Sequence, residues 1–312
     1  MAEREEGRGD FEGVRALEIR GRLAALRLEA GDGWRLELPP EARVDREGER
    51  LRIEMPVRWR SWLAADAGAR LQVTAPPGLE RWDVQATGEV EVAGLGGSGR
   101  VEVKAGDVHV RACSGELRVD SGAGDVTVEG HRGRLLVHSG AGDVRVRGGF
   151  LEQAEIRSGA GDVAFAARVG REASLRSGAG QVELRPESDG EARIEVHSGF
   201  GDVSLYLDGV RGGRLEVRTG AGSVEGTAGI RFTRRGGVGL YSVDELGPGS
   251  GWIRLSTGAG RVRLFGQPGK APAAGPEPPA PGRRYPDARA VLEALARGEI
   301  DPEEAERLLD EL

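Results

Sequence analysis

The chain has 312 residues, with 44 Lys and Arg against 51 Asp and Glu and a formal net charge of -7, an acidic balance that argues against bulk, sequence-independent nucleic-acid binding. Aromatics are scarce at 4% while glycine reaches 52 residues, and without a collagen triplet that composition points to many tight turns. The single cysteine, Cys113, excludes an intramolecular disulfide framework and any cysteine-cluster metal site.

Residues 1–13, MAEREEGRGDFEG, are charged and lack the apolar core of a signal peptide. They are read as a disordered N-terminus. The chain has no run of about 18 apolar residues, so no membrane span is expected, and the cytoplasm is the expected location. From 14 to 87 the chain reads as strands without a recurring turn, as in RALEIRG, LAALRLEA, ERLRIEMP and ARLQVTAPPGLERWDV. Trp34, Trp59 and Trp62 lie in this stretch. A solenoid end is an open sheet edge that needs a cover, so 14–87 is expected to form an N-terminal β-cap continuous with the repeats from residue 88 onward.

Residues 88–266 are dominated by repetition, the sequence signature of a stacked architecture. LRVDSGAGDVTV, from Leu117, recurs as LLVHSGAGDVRV, AEIRSGAGDVAF, ASLRSGAGQVEL, IEVHSGFGDVSL, LEVRTGAGSVEG and IRLSTGAGRVRL. The second motif glycine falls at Gly124, Gly142, Gly161, Gly180, Gly201 and Gly222, giving steps of 18, 19, 19, 21 and 21. The next copy comes 38 residues later at Gly260, leaving room for a degenerate repeat near Gly239. Inside the repeats, apolar residues pair at a spacing of two, as in Leu117/Val119 and Val126/Val128, with a polar or charged residue between in nearly every case. That is strand alternation, one face in and one face out. Each unit is therefore strand, GAG turn, strand, second turn, and stacking such units buries a core no unit could bury alone.

The expected fold is all-β, a single-stranded β-solenoid of about ten two-strand rungs spaced about 4.8 Å apart. Hexapeptide helices need an aliphatic residue every six positions. Calcium-binding nonapeptide rolls need their motif every nine residues, and propeller blades need four strands. None of these patterns is present.

Residues 267–286, rich in Pro, Ala and Gly, read as a linker. Residues 287–312 read as a helical hairpin. Asp287 caps the first helix and Gly298 ends it; Asp301, Pro302 and Glu304 open the second. Its apolar stripe, Val291, Leu292, Leu295, Leu308, Leu309 and Leu312, is too small for an isolated core and is the candidate partner-binding tail, through a protein partner or self-association.

ARLQVTAPPGLERWDVQATGEVEV followed by repeated GDV turns resembles the bacterial DUF4097 family of adhesin-like proteins over roughly residues 14–266. LARGEIDPEEAERLLDEL is similar to SHOCT-like helical modules. The resemblance implies a β-helical fold without established chemistry, and a link to cell-envelope stress in some relatives.

Stacking turns sequence positions into columns. The column Asp120, His138, Arg157, Arg176, His197, Arg218 is mostly cationic. It reads either as part of a lattice of surface ion pairs, such as Glu155–Arg157 and Glu216–Arg218, or as a linear face for an anionic polymer or headgroup. The weighing favours the lattice, each pair contributing about 0–1 kcal/mol, and His138, Arg157, Arg176, His197 and Arg218 are kept as the candidate anion-binding or partner-binding column. The Ser/Thr column from Ser121 to Thr257 and the Asp column from Asp107 to Asp202 read as turn hydrogen-bonders. No catalytic, cofactor-binding or metal-ligating residue is expected. The expected function is a non-catalytic scaffold or interaction protein, against a polymerising filament or a carbohydrate-active enzyme as alternatives.

Overall fold

A computed structural model describes residues 5–7, 11–55, 69–226, 233–234 and 240–266. The chain divides into two compact units, Met1–Lys270 and Ala271–Leu312, and the described residues belong to the first. The expected linker at 267–286 and helical hairpin at 287–312 lie outside them, as do Trp59, Trp62 and Gly239.

Among the described residues the protein is all strand, with no helix and hence none able to cross a membrane. The N-terminal strands are β1 (Glu5–Gly7), β2 (Ala16–Ala30), β3 (Arg35–Leu38), β4 (Arg43–Glu47), β5 (Arg50–Glu54) and β6 (Arg70–Ala75). The central ones are β7 (Arg81–Ala93), β8 (Ser98–Val103), β9 (Val108–Arg111), β10 (Ser114–Ala123), β11 (Val126–Glu129), β12 (Arg132–Ala141), β13 (Val144–Ala160), β14 (Val163–Ala179) and β15 (Val182–Leu184). The last are β16 (Arg193–Phe200), β17 (Val203–Tyr206), β18 (Gly213–Ala221), β19 (Val224–Gly226), β20 (Thr233–Arg234), β21 (Leu240–Gly247), β22 (Trp252–Ala259) and β23 (Val262–Phe265).

These strands stack in parallel as the rungs of a single-stranded β-solenoid. In spatial order the rungs are β5/β6, β2, β7, β8/β9, β10/β11, β12 with the start of β13, the end of β13 with the start of β14, the end of β14 with β15, β16/β17, β22/β23 and β18/β19. They are numbered 1 to 11 in that order. The apolar pairs face inward throughout: Leu117, Val119, Val126 and Val128 of rung 5 and their equivalents in rungs 4 to 10 are almost all fully buried. Polar residues between them point outward, as period-two alternation requires.

Stacking does not follow sequence at either end. Rung 2 lies between rungs 1 and 3 although β2 precedes both in the chain: Leu17 pairs with Leu51 on one side and Trp82 on the other. Rung 10 lies between rungs 9 and 11 although it comes after both in the chain: Ile253 pairs with Ile194 and with Leu215. The simple succession of neighbours implied by the repeat steps is therefore corrected at the termini. The gap near Gly239 holds no further parallel rung in its described part. Instead β21 runs antiparallel on β18, with β20 on β21. At the other end β4 and β3 run antiparallel on β5 and β6, and β1 on β3.

Repeat length sets the second corner. In rungs 4 to 6, with 18-residue steps, Leu95, Cys113 and His131 fill it from inside. In rungs 7 and 8 the second turn vanishes into the continuous 17-residue strands β13 and β14, which bring Leu151 and Val169 inward. A register shift at Gly133/Arg134 opposite Leu151/Gln153 absorbs the nineteenth residue as a bulge.

Candidate functional site

The GAG corner is built from contacts between rungs. At Gly142 the backbone has φ +115, and a Cβ there would sit 2.3 Å from the carbonyl oxygen of Gly124 one rung below. Only glycine fits both the conformation and the approach. The aspartate after it is equally committed. Asp107 accepts from the backbone N–H of Asp125 at 2.9 Å, Asp125 from Asp143 at 2.9 Å, Asp143 from Asp162 at 2.9 Å and Asp162 from Gln181 at 2.7 Å. Asp202 accepts from Arg261 at 2.8 Å. Each carboxylate thus caps the corner of the neighbouring rung. The N–H of Asp143, then Arg145, hold the Asp125 carboxyl below its ordinary range.

The hydroxyl column does not bond the turn in the way its sequence suggests. Ser121, Ser139, Ser158, Ser177 and Ser198 are all buried, and their Oγ atoms have no protein partner among the described residues. Among the described residues of the column, Thr257 alone reaches a turn carbonyl, that of Gly201 at 3.4 Å. The parity of the strand explains this: the serine follows Leu and Val on the inward face, so its hydroxyl points into the corner.

The outward cation column is assembled in part. His138, Arg157, Arg176 and His197 occupy four consecutive rungs, 6 to 9. Arg218 does not continue the run, because Ser256 of rung 10 stands between His197 and Arg218. Two members of the column are neutralised locally. Arg157 is paired with Glu155, and Arg218 donates to Glu216 at 2.8 Å while Arg254 reaches the same carboxylate at 3.1 Å. Burial pushes the Glu216 carboxyl up, but these two guanidinium groups outweigh it and the net shift is downward. His138 Nδ1 lies 3.3 Å from Asp120, whose carboxylate also takes Arg118 at 2.7 Å. Burial raises the Asp120 carboxyl, and Arg118 reverses the shift. Arg176 and His197 are exposed and make no ion pair among the described residues.

A groove of about 580 Å³ runs beside this column over rungs 4 to 7. Glu102, Asp120, His138 and Arg157 line one wall, and its floor includes Gly122, Gly140 and Gly159. Close rung approach keeps that floor flat: a Cβ on Gly140 would lie 2.5 Å from the oxygen of Gly122. Beyond rung 7 the stripe of motif alanines is broken by Phe200, 70% exposed between Ala179 and Ala259.

Two features went unread in the sequence. On the second strand of the rungs, Arg185 lies 3.9 Å from the Tyr206 ring centroid, and Tyr206 stacks on Phe265 at 4.8 Å. The stacked rings cover each other's faces, so this is a ladder more than an open platform for a sugar. His131 is 1% exposed in the second corner, with Nε2 donating to the carbonyl of Arg134 at 3.0 Å and Nδ1 unpartnered. Burial lowers its pKa, partly offset by its backbone hydrogen bonds. Cys113, in the same corner one rung below, is a buried free thiol whose pKa burial raises. Among the described residues no group of three His, Cys, Asp or Glu could hold a metal ion. The tail residues Val291, Leu292, Leu295, Leu308, Leu309 and Leu312 lie outside the described residues.

The Toastrack DUF4097 family model matches residues 85–236, the span from rung 3 through rung 9 together with rung 11. No curated protein matches. Two solved structures are similar. A "putative adhesin" from Bacteroides fragilis is 12% identical, with 81% of this chain and 93% of that chain covered and a TM-score of 0.44. A "putative cell adhesion protein" from Clostridium sporogenes is 10% identical, with 84% and 98% covered and a TM-score of 0.23. Likenesses this weak place no residue of the site.

Proposed function

We propose that the protein is a non-catalytic interaction scaffold whose outward cation stripe, His138, Arg157, Arg176 and His197, binds an extended anionic partner. The observation that carries this is what the repeats leave uncommitted. The aspartates spend their carboxylates on neighbouring N–H groups, and the serines point inward. Of the four cations, spaced about 4.8 Å per rung, Arg176 and His197 have no ion-pair partner among the described residues, while His138 and Arg157 stand beside Asp120 and Glu155. A partner with regularly spaced anions can track them along the stack, gaining modest energy per contact and specificity from the register.

The leucine-rich C-terminal sequence, Leu295, Leu308 and Leu309 among its members, supplies a second attachment point for a protein partner. We set this scaffold in the cell-envelope stress response, a reading that rests only on what the resemblance of its repeats to DUF4097 proteins implies. The filament alternative is disfavoured by the antiparallel strands β4 on β5, β3 on β6 and β21 on β18, which cover much of the two ends of the stack. The test is binding of polygalacturonate and of polyglutamate, which carry carboxylates on a glycan and on a peptide. Arg176→Glu should weaken binding several-fold and flatten its salt dependence, while Arg43→Glu on the terminal strand β4 leaves it unchanged. Equal losses from both variants, or no binding of either polymer, would remove the stripe as the partner face.

A further inference from the structure

We infer that rung 10 is an exchangeable element: it can leave its slot between rungs 9 and 11 and occupy the same slot in a second copy of this chain, joining two molecules by reciprocal rung exchange. Rung 9 pairs with rung 10 as Ile194 to Ile253, and rung 11 pairs with rung 10 as Leu215 to Ile253. With rung 10 removed, Ile194 faces Leu215, an offset of 21 residues. Rungs 8 and 9 already stack with that offset, Arg176 on His197 and Ser177 on Ser198. Rung 11 therefore fits rung 9 directly, column for column.

The hydrogen bonds close in the same way. Gly201 N–H now donates to Ala259 at 3.0 Å and Val203 to Arg261 at 2.8 Å, while Gly260 donates to Ala221 at 3.1 Å and Val262 to Ser223 at 2.9 Å. After departure, Gly201 and Val203 meet the freed carbonyls of Ala221 and Ser223, as Gly180 and Val182 meet Phe200 and Asp202 one rung below. The rod loses one rung interface and leaves no dangling edge. Inserted into a second copy, rung 10 recovers that interface with identical residues, so closed and exchanged forms differ little in contact energy.

The connection permits it. Residues 227–251 join rung 11 to rung 10; with β21 held on β18 only the short link 248–251 is left, and releasing that antiparallel pairing frees 25 residues, which reach roughly 80–90 Å when extended. Where this segment returns over the rungs it meets glycine. Gly251 N–H donates to Gly190 at 2.7 Å, and a Cβ on Gly212 would lie 1.8 Å from the oxygen of Pro248. No side chain on Gly190 or Gly212 bars the path out.

The test uses full-length single-cysteine variants on the outward faces of paired positions, Glu195→Cys in rung 9 and Arg254→Cys in rung 10. Cys113 is buried and does not compete. The double variant, oxidised as a monomer, is the control for disulfide geometry. The two single variants are mixed at high concentration, held a few degrees below their unfolding temperature and then oxidised. Exchange predicts a covalent heterodimer on a non-reducing gel, well above the homodimers that each single variant forms by collision, and lost when the mixture is oxidised without the heating step. A mixture that stays monomeric while the control crosslinks overturns the inference. If the control does not crosslink, amide hydrogen exchange decides: Ile253 and Leu255 should open more readily than Val119 and Val137, and equal protection would refute the exchange.

Discussion

At the scale of single residues, the corner motif divides labour between a glycine that permits the turn and an aspartate that ties it to the next rung. Gly142→Val must place a branched side chain at φ +115 against a carbonyl oxygen 2.3 Å away, and should cost more than about 1 kcal/mol in urea unfolding. Asp143→Asn should cost less, because an amide oxygen still accepts from Asp162 N–H; the reverse ranking would contradict this reading of the motif. His131 gives a pH prediction. Its folded pKa lies below its unfolded value of about 6.5. Below that pH the unfolded chain takes a proton that the folded chain refuses, so stability falls as pH drops through the window between the two values. His131→Leu should flatten the pH dependence of the unfolding temperature just below pH ~6.5. The Asp125 carboxyl acts in a lower window. Its stability contribution is complete above the unfolded value near pH ~3.9 and is lost as pH falls through the depressed folded value, so Asp125→Asn should lower stability evenly above that window and flatten the pH dependence only within it.

At the scale of elements, apolar residues two apart on each strand were enough to read the rungs of the repeat region from sequence, because burial of one strand face imposes period two; rungs 1 and 2 and the start of rung 3 lie in residues 14–87, which read only as a cap. Leu135, 2% exposed, should lose about 2–5 kcal/mol on replacement by alanine, whereas Phe200→Ala, at 70% exposure, should leave the unfolding midpoint nearly unchanged. The direction of the serine column was also implicit in that parity, yet the turn-forming habit of Ser-Gly pointed elsewhere. Which rung sits beside which was not legible. IRLSTGAGRVRL and LEVRTGAGSVEG carry the same inward pattern, so both satisfy the slot above rung 9. The aromatic ladder of Tyr206 and Phe265 was hidden for the same reason, since the two residues are 59 apart in sequence and adjacent only after rung 10 inserts.

At the scale of the whole stack, eleven rungs span about 50 Å, and antiparallel strands cover β5 and β6 at one end and β18 at the other. β4 does this with five exposed residues, four of them charged, a common protection of an edge. Insertion of the terminal rungs also fixes the cation stripe, ending its unbroken run at His197 by placing Ser256 next. Rung order is therefore the claim on which the fold, the stripe and the exchange all depend. The most direct measurement is the set of inter-strand proton contacts of Leu255 in the full-length protein by nuclear magnetic resonance. The account predicts backbone contacts from Leu255 to both Val196 and Val217, and none between Val196 and Val217. A direct Val196–Val217 contact in the monomer, with Leu255 touching only one of them, would contradict it.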